Sequence, residues 1–411
     1  MKLGLLHTPL VRCLTGVVAL GALLTTAPAG ASHERKVAQV ADACDGGSSN
    51  ATGYASNKRL VVTKSGRQLA IYDPHGSGMH LRWREPGKGW KNTTRGAVSN
   101  GNIVMNDAPN DRPATIALTT ASGRQRAWIV WAGYEFARPS AVMMRRLTGL
   151  SDPRGPHIGP QVVLEPQGLG NVRADIAFER RASGPRGVVT WVRKTSETSH
   201  EVVTGWLSDL SARPVLTGRT IHYTTTSNKP TGTLVPTPSG VALVARAGSL
   251  RMFTHSSTQG LSSWSGGTAS ADVASQAKPS AIVLPSGAVL AAVEGDVKNH
   301  VVEVVRFNGA GSRATTTLET NVGYMDPSLA ATGDGALLAM VRSSDKALLT
   351  RRLRGSTWGK NVVELTSEGG GDYAWPNLLK KAGKHVRMLI DAGRCPTNNQ
   401  HNAVISYSRS L

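Results

Sequence analysis

Aromatic residues, cysteines and acidic groups are all scarce in this chain of 411 residues. Phe, Trp and Tyr together make up 5% of it, and only three cysteines occur. The 27 Asp and Glu residues are outnumbered by 47 Lys and Arg residues, which gives a formal net charge of +20. Such a charge attracts anionic polymers. Because the cations are scattered and few aromatic residues lie among them, we do not expect a nucleic-acid-binding protein.

Motifs that hold metals or cofactors are missing as well. There is no His-Glu-x-x-His, no Cys/His group with zinc-ligand spacing and no Gly-x-Ser-x-Gly. The segment 369–372, Gly-Gly-Gly-Asp, lacks the aspartates at alternate positions that a calcium loop uses. We therefore expect neither a metal nor a cofactor.

Long apolar runs are absent except for one near the N terminus. Lys2 and Arg12 accompany an apolar run at 13–24, and Ala29-Gly30-Ala31 forms a small-residue cleavage site. This order is typical of a secretory signal peptide, and the run is too short to span a bilayer. We assign residues 1–31 to the signal peptide and expect a secreted, extracellular protein without a membrane anchor.

An internal repeat organises the rest of the chain. Pro230, Pro279, Pro327 and Pro376 each open a strand-like run at intervals of 48 or 49 residues, and Arg112-Pro113 opens the same pattern upstream. A second apolar run follows in every unit, at 68–73, 127–132, 188–193, 241–246, 289–294, 337–342 and 386–391. Seven units of about 50 residues, with four short strands in each, predict an all-β, seven-bladed β-propeller of four-stranded antiparallel blades over residues 58–411.

The ring must be closed where its first and last blades meet. The seventh unit contains three strand-like runs and then ends, so we expect residues 32–57, the lead-in, to supply its outer strand from about 36–57. Cys44 precedes the first blade and Cys395 follows the second strand of the last one. Because cysteines of secreted proteins usually pair, we predict a Cys44–Cys395 disulfide at this junction.

Charged residues recur where the repeat places one face of the ring around the axis. The second strands end at Asp73, Ala132, Arg193, Arg246, Glu294, Arg342 and Asp391. The first strands are preceded by Arg112, Arg173, Lys229, Lys278, Asp326 and Trp375. In a propeller these two sets of positions share one end of the blades. We call this end the axial face.

Two interpretations of the axial face remain open. In the structural one, the carboxylates at the ends of the second strands pair with arginines of nearby blades and fix the blade register. In the functional one, Arg193, Arg246 and Arg342 converge on the carboxylate of a ligand, since the guanidinium fork suits bidentate recognition of that group.

Blade six carries a resemblance to a known group of proteins. Its opening, Pro327-Ser-Leu-Ala, and its turn, Gly355-Ser-Thr-Trp358, resemble those of secreted bacterial sialidase-like and lectin-like propellers. Leu353 and Arg351 stand where the Asp-box motif of that group has its aspartate and serine. For a sialidase, the resemblance implies Arg193, Arg246 and Arg342 as carboxylate ligands. It further implies Tyr373 or Tyr324 with Glu294 as the nucleophile and base, and Asp107 or Asp111 as the acid.

Seven blades, however, are found in lectin-like and protein-binding propellers, whereas sialidases of this group have six. One such seven-bladed protein, the actinobacterial dispase autolysis-inducing protein, acts on a metalloprotease, and this chain resembles it in size, blade number and signal peptide. We therefore expect a monomeric, non-enzymatic binding protein that engages an extracellular protein, such as a secreted protease, or a glycan. The axial face and the long loops 149–160 and 208–220 are the expected contact surfaces. The alternatives are a sialidase-type glycoside hydrolase and a lectin using Trp83, Trp90, Trp264 and Trp358.

Overall fold

A computed structural model describes fourteen segments of the chain: 35–41, 58–72, 79–93, 95–96, 114–132, 141–226, 230–247, 249–272, 279–296, 301–309, 313–318, 323–366, 373–392 and 403–411. Their regular secondary structure is entirely β. Within these segments no helix is long and apolar enough to cross a membrane.

In these described segments, twenty-nine strands build seven antiparallel sheets. Blade one contains β2 (Leu60–Val62), β3 (Gln68–Tyr72), β4 (His80–Arg84) and β5 (Lys91–Asn92). Blade two contains β6 (Thr115–Ala121), β7 (Arg124–Trp131), β8 (Val142–Thr148) and β9 (His157–Glu165). Blade three contains β10 (Asn171–Glu179), β11 (Arg186–Lys194), β12 (His200–Leu207) and β13 (Leu216–Thr225). Blade four contains β14 (Thr231–Thr237), β15 (Gly240–Ala247), β16 (Ser249–Ser256) and β17 (Ser265–Asp272).

The last three blades continue the series. Blade five contains β18 (Ser280–Val283), β19 (Val289–Asp296), β20 (Val301–Phe307) and β21 (Arg313–Leu318). Blade six contains β22 (Tyr324–Ala331), β23 (Gly335–Arg342), β24 (Leu348–Arg354) and an outer strand in two parts, β25 (Thr357–Trp358) and β26 (Val362–Leu365), which both pair with β24. Blade seven contains β27 (Tyr373–Leu378), β28 (His385–Ala392), β29 (Ala403–Ser410) and β1 (Lys36–Ala41).

The predicted seven-bladed propeller is confirmed, and the N-terminal segment closes its ring. β1 lies antiparallel to β29, with Lys36 opposite Ser408 and Gln39 opposite Ile405. Val40 is fully buried, and its carbonyl oxygen accepts a hydrogen bond from the guanidinium of Arg82 in blade one. The outer strand of the last blade therefore also contacts the first blade. Cys44 and Cys395 lie outside the described residues, so their disulfide stays a prediction.

The core is divided into seven apolar clusters, one at each seam between neighbouring blades. Alternation along the second strands explains this division, because successive side chains of a strand face opposite sides of its sheet. In β7, Ile129 and Trp131 pack in the seam with blade one. Trp128 and Val130 pack in the seam with blade three. Each second strand is consequently apolar on both faces, and this explains the apolar run that recurs in every unit of the sequence.

A ring of buried polar side chains lines the inner strands around the axis. Its members are Thr115, Asp175, Thr233, Ser280, Ser328 and Asn377. Several of them bridge consecutive blades: Ser280 Oγ accepts the Leu329 N–H at 2.9 Å, and Ser328 Oγ accepts the Leu378 N–H at 3.1 Å. These side chains satisfy backbone groups that a first strand, at the inner edge of its sheet, cannot pair within the sheet.

Candidate functional site

Lys58 and Asp175 form the central contact of the axial region. Lys58 Nζ donates to both Asp175 oxygens, at 3.1 and 3.2 Å, and to the carbonyl oxygens of Ile176 and Leu234, at 2.7 and 2.9 Å. A lysine that precedes blade one thus reaches blades three and four. Neither residue was among the predicted site residues. The signal was present, because Asp175 follows Arg173-Ala174 at the position where Ser280 and Ser328 follow their prolines.

Two of the predicted axial arginines are buried and adjacent. Arg173 and Arg246 are each 4% exposed, and Arg173 Nη1 donates to the carbonyl oxygen of Pro230 at 3.0 Å. Burial, and then the charge of Arg173, lowers the pKa of Arg246 to about 10. Arg173 also has a positive φ of 56°, as does Asp326 at 54°, which marks the tight backbone where a chain begins a blade.

Two further predicted arginines contact carboxylates close to them. Arg193 Nη2 lies 2.6 Å from Glu201 Oε2 in the neighbouring strand of its own blade, and Arg193 is also 4.0 Å from Glu165. Arg342 Nη2 lies 2.5 Å from Asp345 Oδ2 in the turn that follows β23. These described contacts engage Arg193 with blades two and three and Arg342 with the turn after its own strand.

The remaining predicted axial residues are placed only in part. Glu294 and Asp326 are buried, at 9% and 7% exposure, and burial raises the pKa of the half-buried Tyr373. Six of these positions lie outside the described residues: Asp73, Asp107, Asp111, Arg112, Lys229 and Lys278. For Asp391, only the backbone is among the described parts. A convergence of three arginines with a nucleophile and an acid therefore stays a prediction.

The opposite end of the propeller, which we call the hairpin face, carries the turns between first and second strands and between third and fourth strands. At six of the seven seams, the segment after the third strand of the later blade places an apolar side chain against the seam. These side chains are Leu150, Leu210, Leu261 with Trp264, Trp358, Leu411 and Trp90. Trp90, Trp264 and Trp358 thus serve packing, and Trp83 is 2% exposed, which leaves little aromatic surface for the predicted lectin platforms.

The seam between blades four and five differs from the others. The outer hairpins of blades two, three and four span eight residues each, at 149–156, 208–215 and 257–264, whereas that of blade five spans five, at 308–312. No described residue of this short hairpin joins the apolar cluster at its seam. A cavity of about 530 Å³, which we call the open cleft, is found there.

Hydroxyl groups make up most of the polar lining of the open cleft. The lining residues are Thr237, Pro238, Ser239, Met252, Thr254, His255, Ser256, Gln259, Ser265, Ser286, Gly287, Val289, Phe307 and Gly309. None of these described residues is Asp, Glu, Lys or Arg, although the chain as a whole is strongly charged. The cleft is therefore a neutral, polar site above an apolar floor of Met252, Val289 and Phe307.

Several polar groups of the cleft keep hydrogen-bonding capacity. Gln259 Oε1 accepts the Ser256 N–H at 3.1 Å, so both N–H groups of its amide point elsewhere. The Ser286 hydroxyl accepts the Ala288 N–H at 3.5 Å and retains its own proton for donation. Within the described part of the chain, no hydrogen bond engages the hydroxyls of Thr237 and Ser239. Such groups can both donate to and accept from a ligand.

A buried network behind the cleft holds its blade-four wall. The His255 ring lies 4.6 Å from the ring of Trp206, on the far side of the sheet. Arg186 Nη2 contacts His255 Nε2 at 3.1 Å and Glu179 Oε2 at 2.7 Å. Because guanidinium nitrogens only donate, His255 Nε2 accepts and its Nδ1–H donates to the Ser263 carbonyl oxygen at 2.9 Å. His255 is thus held neutral, and burial lowers its pKa.

Metal chemistry has no described centre. Among the residues that the structure describes, no three His, Cys, Asp or Glu side chains are grouped as a metal site.

Comparisons with known proteins reveal structural similarity alone. No protein-family model matches the chain, and no curated protein matches it. A protein of unknown function from Dyadobacter fermentans is 13% identical, with 91% of this chain and 98% of the other covered and a TM-score of 0.48. SapL1 lectin, solved with alpha methyl fucoside, is 10% identical, with coverages of 76% and 97% and a TM-score of 0.44. A mutant of AofleA from Arthrobotrys oligospora is also 10% identical, with coverages of 82% and 92% and a TM-score of 0.44. These likenesses do not select a function.

Proposed function

We propose that the protein is an extracellular glycan-binding protein, and that a neutral saccharide unit occupies the open cleft between blades four and five. The observation that carries this proposal is the lining of the cleft, whose described residues include no charged side chain in a chain of formal net charge +20. The signal-peptide pattern of residues 1–31 supports the extracellular location.

The chemistry of the lining matches that of a sugar. Saccharide hydroxyls donate and accept hydrogen bonds at once, and the Ser, Thr and Gln side chains of the cleft supply both roles. The C–H face of a sugar ring is apolar and fits the floor formed by Met252, Val289 and Phe307. The volume of about 530 Å³ lies within the roughly 300–1,000 Å³ of small-molecule sites.

Binding rather than hydrolysis is the activity that this lining supports. Glycoside hydrolysis uses two carboxyl groups that flank the scissile bond. The described lining offers hydroxyls, an amide and the His255 imidazole instead, and both ring nitrogens of His255 are engaged by Arg186 and by the Ser263 carbonyl.

The test is a glycan array probed with the mature protein, followed by titration calorimetry on the saccharides that bind. Ser239→Trp should abolish binding, because the new indole would fill the cleft from its rim. Ser356→Trp is the matched control, since Ser356 is an exposed serine in a hairpin of blade six. Undiminished saccharide binding by a folded Ser239→Trp protein would contradict the proposal.

A further inference from the structure

The inner hairpins that surround the axis on the hairpin face are charged on one side of the ring and neutral on the other. Those of blades seven, one, two and three carry six exposed cations: Lys381, Lys384, Lys64, Arg124, Arg180 and Arg181. We call this group the hairpin crescent. The corresponding hairpins of blades four and five, at 238–239 and 284–288, carry no charged residue and contribute to the open cleft.

The crescent is not neutralised within the described part of the chain. No ion pair or hydrogen bond there engages the charged group of any of its six members. Asp334 is the acid of the inner hairpins, and it pairs with Arg352 at 2.9 Å and Arg354 at 3.3 Å within blade six. Unpaired like charges on adjacent hairpins repel one another, so the crescent raises the potential of one side of this face.

We propose that the ligand of the protein is an acidic polysaccharide, with a neutral unit in the open cleft and uronate or sulfate groups on the hairpin crescent. This inference rests on the proposed function and names its ligand class. The cations are spread over four consecutive blades, which suits a polymer with repeated negative charges better than a single anion. The hydroxyl-lined cleft at the end of the crescent suits the uncharged part of the same polymer.

Two other anionic partners fit this surface less well. Nucleic acids without a fixed sequence are held by bases stacking on aromatic side chains, and the inner hairpins contain no aromatic residue. Membrane surfaces are bound by apolar side chains that insert beside the cations. The large apolar side chains found exposed in the described residues lie at other places: Val37, Val163, Leu169, Val215, Ile221, Val362 and Val363.

The test compares two triple variants that remove equal charge from the mature protein. One is the crescent variant, Lys64→Ser with Arg124→Ser and Arg181→Ser. The control takes exposed cations of outer hairpins and connections, Lys88→Ser with Arg213→Ser and Lys360→Ser. The probes are oligogalacturonate in which some carboxyl groups have been reduced to give neutral galactose units (called oligogalacturonate below), the same oligosaccharide after complete carboxyl reduction, and oligodeoxythymidylate, each at low and high ionic strength.

We expect the crescent variant to bind oligogalacturonate about tenfold more weakly than the parent at low ionic strength, and the control variant to change affinity less than about twofold. Both variants should bind the carboxyl-reduced oligosaccharide as the parent does. Equal losses in the two variants, no binding of oligogalacturonate, or tighter binding of oligodeoxythymidylate would overturn the inference.

Failure of the inference can be told apart from failure of the proposed function. If the reduced oligosaccharide binds and Ser239→Trp abolishes that binding while the crescent variant has no effect on oligogalacturonate, the cleft stands and the crescent inference fails. If oligogalacturonate binds regardless of Ser239→Trp, the proposed function fails.

Discussion

At the scale of single residues, the axis of the propeller is built from side chains that satisfy one another. Lys58 has four acceptor atoms within hydrogen-bond distance, and Asp175 accepts the backbone N–H of Leu234 at 2.8 Å in addition to the lysine. The side chains of Lys58 and Asp175 are 12% and 1% exposed. A buried pair of this kind joins blades one, three and four through the centre of the ring.

Lys58→Met should destabilise the protein by about 3 kcal/mol or more, because it leaves the Asp175 carboxylate buried without its cation. Denaturant unfolding measures this loss. The double variant with Asp175→Asn should recover part of it, since the uncompensated charge is then gone. A Lys58→Met protein as stable as the parent would show that the pair does not stabilise the ring.

His222 makes stability depend on pH. Its Nε2 lies 2.9 Å from Thr204 Oγ1, and its ring is 4.7 Å from that of Trp264. Burial lowers the pKa of His222 to about 4. The unfolded chain, with a histidine pKa of about 6.5, then binds more protons than the folded one between those two values.

The contribution of His222 is therefore complete above about pH 6.5 and is lost as pH falls toward 4, up to about 3 kcal/mol in all. Melting temperatures measured across this range should fall on acidification. His222→Gln should show a shallower fall, because its side chain does not titrate. A slope unchanged by the substitution would mean that His222 is not the group responsible.

At the scale of elements, the outer hairpins act as clamps between blades. Arg67 in blade one donates from Nη1 to the carbonyl oxygens of Leu150 and Asp152, both at 2.7 Å, in the long hairpin of blade two. Arg146 of blade two donates to the Leu210 carbonyl oxygen of blade three at 3.0 Å. The long loops predicted as partner contacts thus fold back on the preceding blade.

Arg67→Met should cost about 2–3 kcal/mol, because two buried carbonyl groups lose their donor and the ion pair with Glu85 is lost. Arg154→Ala, in the same hairpin, is the control and should leave the unfolding midpoint unchanged, since its side chain is 75% exposed. Equal effects of the two substitutions on denaturant unfolding would show that the hairpin is not held by Arg67.

The sequence allowed the elements to be predicted more completely than the sites. Runs such as 127–132 and 337–341 carry their own signal, because both faces of a second strand are buried and its residues are apolar without interruption. The open cleft carries no such signal. The outer hairpin at 308–312 has three residues fewer than those of blades two, three and four, but only the packing of neighbouring blades shows a cavity at this seam.

At the scale of the whole molecule, the junction of the first and last blades decides whether the ring stays closed. β1 belongs to blade seven, and Val40 packs in the seam with blade one. The predicted Cys44–Cys395 disulfide would fasten the same junction covalently.

Thiol titration of the denatured, unreduced mature protein should therefore find no free cysteine. Cys44→Ser with Cys395→Ser should lower stability by up to about 5 kcal/mol, the chain-entropy value for a loop of most of the chain. The double variant Cys44→Ala with Cys395→Ala also lacks the disulfide and should lose the same amount of stability. Two titratable thiols in the parent protein would contradict the disulfide.

The distribution of charge over the whole molecule bears on how its ligand is held. The axial face holds buried arginines and local ion pairs, whereas the hairpin face combines the open cleft with the crescent. The measurement that tests this account most directly is the calorimetric stoichiometry of the tightest saccharide found on the array. One saccharide per chain, lost in Ser239→Trp and kept in Ser356→Trp, is the predicted result. Several saccharides per chain, or binding that Ser239→Trp leaves intact, would contradict a single site between blades four and five.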